Sequence, residues 1–171
     1  MAFVKSQGRE RLLQAIKLGE LEDYTLFGWG VQEASIEYEA DEETLKFVTQ
    51  KSGMTENKGY TLSQSVDQMV YTDDPLFPVI DKIRKEQGIG AKASGQLLNI
   101  NLYDSDEEEP AQVSGEEFNI GITITSFGGS AEDKLGIGYT INYNSSPKVG
   151  KVAITYDPLK FTFTETPAVE G

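Results

Sequence analysis

The chain has 171 residues, 28 of them acidic and 15 basic for a formal charge of −13, and it holds neither cysteine nor histidine. That composition excludes disulfides, thiol nucleophiles, zinc-finger sites and any Ser-His or Cys-His catalytic pair built from this chain alone. No run of 18 apolar residues occurs, so no transmembrane helix and no membrane partner are expected; the opening MAFVKSQGRERLL lacks the apolar core of a secretory signal, so synthesis in a cytoplasm is expected.

The length suits one domain over residues 1–171. Residues 1–30 form an N-terminal segment in which RERLLQAIKLGE supports either a helix or the start of a strand. In SIEYEADEETLKFVTQ, Glu37 and Glu39 alternate with Ile36, Tyr38 and Ala40, the period of a strand or hairpin. Residues 41–59 read as an extended arm, with the polar stretch 49–59 as a flexible connection or hairpin tip. In GYTLSQSVDQMVYT, Tyr60, Leu62, Val66 and Val70 share one face of a strand, and Thr61, Ser63, Ser65 and Asp67 the other.

One helix is predicted, over about residues 75–87. Asp74 suits the N-cap, Pro75 the first helical position, and Gly88 the C-terminal stop. Leu76, Phe77, Val79, Ile80 and Ile83 make an apolar stripe, while Lys82, Arg84 and Lys85 complement the dipole near the C-terminal end. Such a stripe needs an apolar surface, and a sheet face is the only large candidate.

The remaining elements are strands. Leu98, Ile100 and Leu102 alternate with Asn99, Asn101 and Tyr103; Phe118, Ile120, Ile122 and Ile124 alternate with Asn119, Gly121, Thr123 and Thr125. Ile137, Tyr139, Ile141 and Tyr143 follow, then Val152, Ile154 and Tyr156, then Phe161 and Phe163, with residues 166–171 as a tail. Each strand pairs an apolar face with a neutral polar one, the pattern of an antiparallel sheet covered on one side.

No motif carries catalysis, a cofactor or a metal. DSDEEEP, counted from Asp104 as a calcium loop, would place Glu109 and Gly115 where glycine and glutamate are required; it reads as a solvated acidic turn. GIGAKASG follows a helix instead of opening one, so it is a helix-to-strand join and not a phosphate loop. Glu37 and Glu39, two apart on a strand, share a face without forming a glycosidase pair. The NSS sequon at Asn144 is read as chance in the absence of a secretory signal. Trp29, the single tryptophan, is expected to anchor a core or an interface. Because exposed aromatics also bind sugars, a carbohydrate-binding or adhesion β-sandwich is the alternative functional reading. Between Lys92 and Lys134 nine acids stand without one base, so a nucleic-acid grip is not expected and phosphate repulsion is.

Three stretches together resemble one known family. YTLSQSVDQMVYTDDPLFPVIDKIRK resembles its strand-to-helix segment, GQLLNINLYD its next strand, and ITITSFGGSAEDKLGIGYTINYNSSPKVGKV its paired late strands with a Phe-Gly-Gly turn. The family is that of the major tail tube proteins of long-tailed, non-contractile phages (siphophages) of Gram-positive bacteria; with ASIEYEADEE the likeness spans much of residues 34–157. It implies a mainly β fold, an antiparallel β-sandwich or half-barrel with one flanking helix and an extended loop or hairpin arm. It further implies a structural virion protein, not an enzyme, that closes into hexameric rings stacked as a tube. The implied partners are further copies, the tape measure protein, tail terminator and baseplate proteins, and double-stranded DNA in passage during ejection. The implied location is the phage tail, assembled in the host cytoplasm. The bore-facing candidates are Glu37, Glu39, Ser63, Ser65 and Asp67, and the subunit-interface candidates are Lys51, Met54, Asn57, Tyr60 and Trp29.

Overall fold

The structure is a computed structural model that describes residues 6–167. In chain order it contains β1 (Leu12–Leu18), β2 (Thr25–Phe27), β3 (Ile36–Leu45), β4 (Met54–Met69), α1 (Phe77–Glu86), β5 (Ser94–Asn101), β6 (Gln112–Gly128), β7 (Gly136–Tyr143), β8 (Lys148–Tyr156) and β9 (Leu159–Glu165). The nine strands form one antiparallel sheet in the order β2-β1-β5-β6-β7-β4-β3, with β8 and β9 branching from β6. The expected class, mainly β with a flanking helix and a hairpin arm, is what the chain adopts.

β6 holds the sheet together because it is 17 residues long. Its first half lies between β5 and β8; its second half continues beside β7. Gly115 and Gly150 face each other where β6 meets β8, and a Cβ at Gly115 would stand 2.8 Å from the Asn99 carbonyl oxygen. Only glycine lets the strands approach that closely.

The sheet is rolled. β1 and β4 are separated by three strands in the order, yet Gln14 Nε2 of β1 donates to Gln64 Oε1 of β4 at 3.2 Å, and Gln64 Nε2 donates back to Gln14 Oε1 at 2.8 Å. Asn99 Oδ1 accepts from Gln14 Nε2 at 3.0 Å, and the Tyr143 hydroxyl donates to Gln64 Oε1 at 2.8 Å. Gln14, Gln64, Asn99 and Asn101 are all buried. This corrects the expectation of one neutral polar, water-facing side on every strand. On β5 and the residue after it, Leu98, Ile100 and Leu102 face an inner cluster with Val113, Val152, Ile154 and Phe161, while Leu97 and Asn99 face the interior of the roll. A strand buried on both sides can keep amides there only when each finds a partner. No buried side-chain polar atom among the described residues lacks one.

α1 closes the larger cluster. Leu76, Ile80 and Ile83 are buried against Val66, Ile120, Ile122, Tyr139 and Ile141. The helix begins later than expected. Leu76, not Asp74, takes the N-cap position, and Pro78 replaces Pro75 in the first turn. Asp74 still satisfies a backbone donor: its Oδ1 accepts from Leu76 N at 2.9 Å, while Oδ2 accepts from Gln68 Nε2 at 2.6 Å. At the other end Gln87, with φ of 48°, takes the left-handed position assigned to Gly88, whose N–H returns to Ile83 O at 3.0 Å.

Within the N-terminal segment, residues 12–18 form β1 and not a helix. Leu13, Ala15, Ile16 and Leu18 supply both of its faces to the two clusters, so it pairs with β2 and β5 as an inner strand. Residues 1–5 and the final part of the predicted tail, 168–171, lie outside the described residues.

β3 and β4 build the arm. They pair from Ile36–Gln64 out to Leu45–Met54, so residues 54–59, expected as tip, are strand, and the turn spans only 46–53. A bulge interrupts the ladder: Asp41 opposes Gly59 and Glu42 opposes Asn57, leaving Lys58 as the extra residue. Its Nζ lies 3.2 Å from Glu43 Oε2 and 3.4 Å from Glu56 Oε2.

Candidate assembly surface

Cross-strand register gathers the five bore candidates on one side of a four-stranded area, β6-β7-β4-β3. Glu37 opposes Ser63, Ser63 opposes Asn142, and Asn142 opposes Gly121, one residue from each strand in a single row. The next row on that face is Glu39–Thr61; on the other side of the first, Ser65 opposes Thr140 and Thr140 opposes Thr123, followed by Asp67–Gly138. Directly opposed residues point to the same side of a sheet. Glu37, Glu39, Ser65, Asp67 and Thr123 are exposed and Ser63 is half-buried, while Val66, Tyr139 and Ile141 on the reverse side are buried under α1.

Asp41 extends the acidic row on β3, and Asn142 Nδ2 donates to Thr123 Oγ1 at 3.1 Å. The rows from Asp41 to Asp67 contain four carboxylates and neither lysine nor arginine. Thr123, Thr140 and Asn142 belong to this surface as much as the five candidates. The alternation in FNIGITIT marks Thr123 as water-facing, but only pairing through β7 joins it to Glu37.

The same area has two open edges. Among the described residues β3 pairs with β4 alone along its ten residues. On β6, β5 departs at Gly121, so from Ile122 to Gly128 the only strand beside it among the described residues is β7. Unpaired N–H and C=O groups along such edges are templates for another strand. Because the four strands alternate in direction, β3 and the outer edge of β6 run antiparallel.

The interface candidates divide. Lys51 lies in the arm's turn; Met54 opens β4 opposite Leu45; Asn57 opposes Glu42, and its Oδ1 accepts from Gly59 N at 2.9 Å. Tyr60 stands at the arm's base, edge-on to Tyr38 with centroids 5.9 Å apart. Trp29 is 52% exposed, so it is not a core residue; its carbonyl accepts from Gln68 Nε2 at 2.7 Å, at the end of β4 far from the tip. The structure therefore groups four of the five on the arm and sets Trp29 apart.

The strongly perturbed phenols, Tyr24, Tyr139 and Tyr143, are all raised first of all by burial, which makes them poorer acids. No cluster of three or more metal-ligating side chains occurs among the described residues.

No protein-family model matches the chain, and no curated protein does. Solved structures do. The chain is similar to a protein in the tail of an empty gene transfer agent particle refined with C6 symmetry, at 13% identity, covering 83% of this chain and 97% of that one, with a TM-score of 0.61. A chain of a native gene transfer agent virion matches at 14% identity, 84% and 98% coverage and a TM-score of 0.53. A chain from the sheath/tube terminator of an extracellular contractile injection system matches at 10% identity, 88% and 99% coverage and a TM-score of 0.54. The fold is thus one shared with components of phage-like tails, over nearly the whole of each.

Proposed function

We propose that this chain is a structural tail protein that closes into rings, stacks them as a tail tube and leaves a conduit for DNA. The observation that carries the reading is the four-stranded area with an acidic, base-free face, an apolar reverse under α1, and two antiparallel-compatible open edges. Placing β3 of one copy beside residues 122–128 of the next removes both edges by closure. This is a head-to-tail contact whose rotation ends in a ring.

Six copies, following the symmetry of the similar gene-transfer-agent tail, supply about 24 strands. At ~4.8 Å spacing and ~40° tilt, such a wall is roughly 45–50 Å across at the backbone. Side chains narrow the passage and still leave an aqueous channel. Glu37, Glu39, Asp41 and Asp67 line it, and Ser63, Ser65, Thr123 and Thr140 fill the space between. Such a wall repels phosphates within about 8 Å at physiological salt, so DNA slides and does not bind. α1 covers the outer side. The arm of residues 41–59 reaches the next ring, and the tape measure protein fills the bore before ejection. Terminator and baseplate proteins cap the ends, and the particle is a long-tailed, non-contractile phage of a Gram-positive host.

Electron microscopy of the concentrated protein tests this. Rings or tubes whose inner wall carries Glu37 and Asp67 support the reading. A chain that stays monomeric at every concentration, or a tube with these side chains on the outside, overturns it.

A further inference from the structure

The face on the α1 side of the sheet is not fully covered. At the base of the arm an open groove of about 710 Å³ is lined by Ile36, Tyr38, Tyr60, Leu62, Tyr103 and Glu116, among others. Tyr38 and Tyr60 are each 61% exposed and Tyr103 is 50% exposed. Three half-wet aromatics around a concavity form an anchor pocket.

The rim is acidic and held in shape. Glu116 lines the groove, and Asp104, next to the lining Tyr103, opens the acidic loop of residues 104–109. Arg11 fixes this loop by donating to the carbonyls of Leu102, Ser105 and Glu107 at 2.6, 2.5 and 3.1 Å. The Tyr103 hydroxyl titrates above its ordinary value, through burial first and then the charges of Glu116 and Asp104.

The complement of this groove lies elsewhere on the same chain. Residues 45–55, LKFVTQKSGMT, hold Lys46 and Lys51 and no acid, in a chain of net −13. Phe47 is 56% exposed and Val48 fully so, an adjacent apolar pair at the arm's turn. The tip cannot fold back onto its own groove: from Tyr38 to Leu45 the paired strands rise about 24 Å away from it.

The geometry points to this groove as the receptor for the arm tip of a second copy, with Phe47 and Val48 among the tyrosines and Lys46 and Lys51 against the acidic rim. The inference rests on the tube reading and specifies its ring-to-ring contact. Donor tip and acceptor groove are different surfaces of one chain, so each copy gives and receives, and the contact propagates.

Because the chain contains no cysteine, engineered cysteines report cleanly. Val48→Cys and Tyr103→Cys are made as separate proteins, mixed under assembly conditions and oxidised with copper phenanthroline. The expected result is a disulfide-linked heterodimer holding up to about half of the mixed chains, the limit for random mixing of one tip and one groove per copy, with the 48–103 peptide identified by mass spectrometry. A Val48→Cys/Thr164→Cys mixture, with the second site on β9, is expected to give at least tenfold less. A second variant, Lys46→Glu/Lys51→Glu, is expected to fold as the parent does and to raise the protein concentration needed for assembly at least tenfold. Tubes without the 48–103 link overturn the groove and leave the tube reading standing. No assembly and no link overturn both.

Discussion

A proline introduced on β3 would separate the folding of the subunit from the ring closure proposed above. In an antiparallel ladder, alternate residues direct both N–H and C=O at the partner, and those between direct them away. Along β3, whose only partner strand among the described residues is β4, one of the neighbouring pair Glu39 and Ala40 therefore points its backbone groups at β4 and the other away from it. Glu39→Pro and Ala40→Pro then form an internally controlled pair. The outward variant loses no bond within the subunit, and its thermal midpoint should stay close to the parent's. The inward variant loses a ladder bond to β4 and should lose about 1–3 kcal/mol.

The magnitude at the joint follows from the open edge of β6, residues 122–128, which supplies about seven inter-strand bonds at ~1 kcal/mol net each. Removing one donor and stranding its acceptor costs about 1–3 kcal/mol per joint. That raises the concentration for ring formation roughly 10- to 100-fold. Analytical ultracentrifugation across a dilution series, with circular dichroism for the fold, reads both effects. If the variant that keeps its melting temperature also assembles at the parent's concentration, β3 is not the closing edge.

Replacing residues 46–53 by Asn-Gly converts the arm's turn to a two-residue hairpin and should leave the circular dichroism spectrum and melting temperature near the parent's. Negative-stain images of this variant should show isolated rings in place of tubes. Ile80→Ala, at a fully buried position beneath the sheet, should cost about 2–5 kcal/mol in urea denaturation, and tubes should form only at temperatures where the variant remains folded. Asp74 titrates above its ordinary 3.8, mainly through burial, so the folded chain holds that proton more tightly than the unfolded one. Its contribution to stability therefore falls as pH rises from the ordinary carboxylate value through the folded one. The parent's advantage over Asp74→Asn should accordingly grow as pH is lowered through that window, measured by thermal melts at a series of pH values.

How much of this is legible in the sequence depends on the range of the interaction. The alternation around Ile120, Ile122 and Ile124 and the stripe of Leu76, Ile80 and Ile83 are local signals, and a strand and a helix of the expected kind form there. The helix start shifts because Asp74 is drawn into a buried pairing with Gln68, a contact no local pattern encodes. Gln14, Gln64 and Asn99 look water-facing on their own strands; only the rolling of the sheet brings them together in the interior. β1 is ambiguous for the same reason, since a strand buried on both faces loses its alternation. Of the candidate site, Glu37 with Glu39 and Ser63 with Asp67 follow from period two, because residues two apart on one strand share a face. That the two sets lie on one surface, and that β6 is left open beyond Gly121, follows from register and strand order, which are properties of the closed fold.

Lys58 gives the arm a phase change. On the body side of this extra residue, the even-numbered positions of β4, such as Tyr60 and Leu62, look toward the helix side; beyond it, Glu56 and Met54 look toward the carboxylate rows. Were the ladder to run on without the bulge, Lys58 would oppose Glu42 and Asn57 would oppose Glu43, and the arm's outer end would be turned over, with Asn57 and Thr55 exchanging sides with Glu56 and Met54. Which side chains the outer arm shows on either side is thus governed by whether that one lysine is bulged or paired, a choice that leaves the subunit's core untouched.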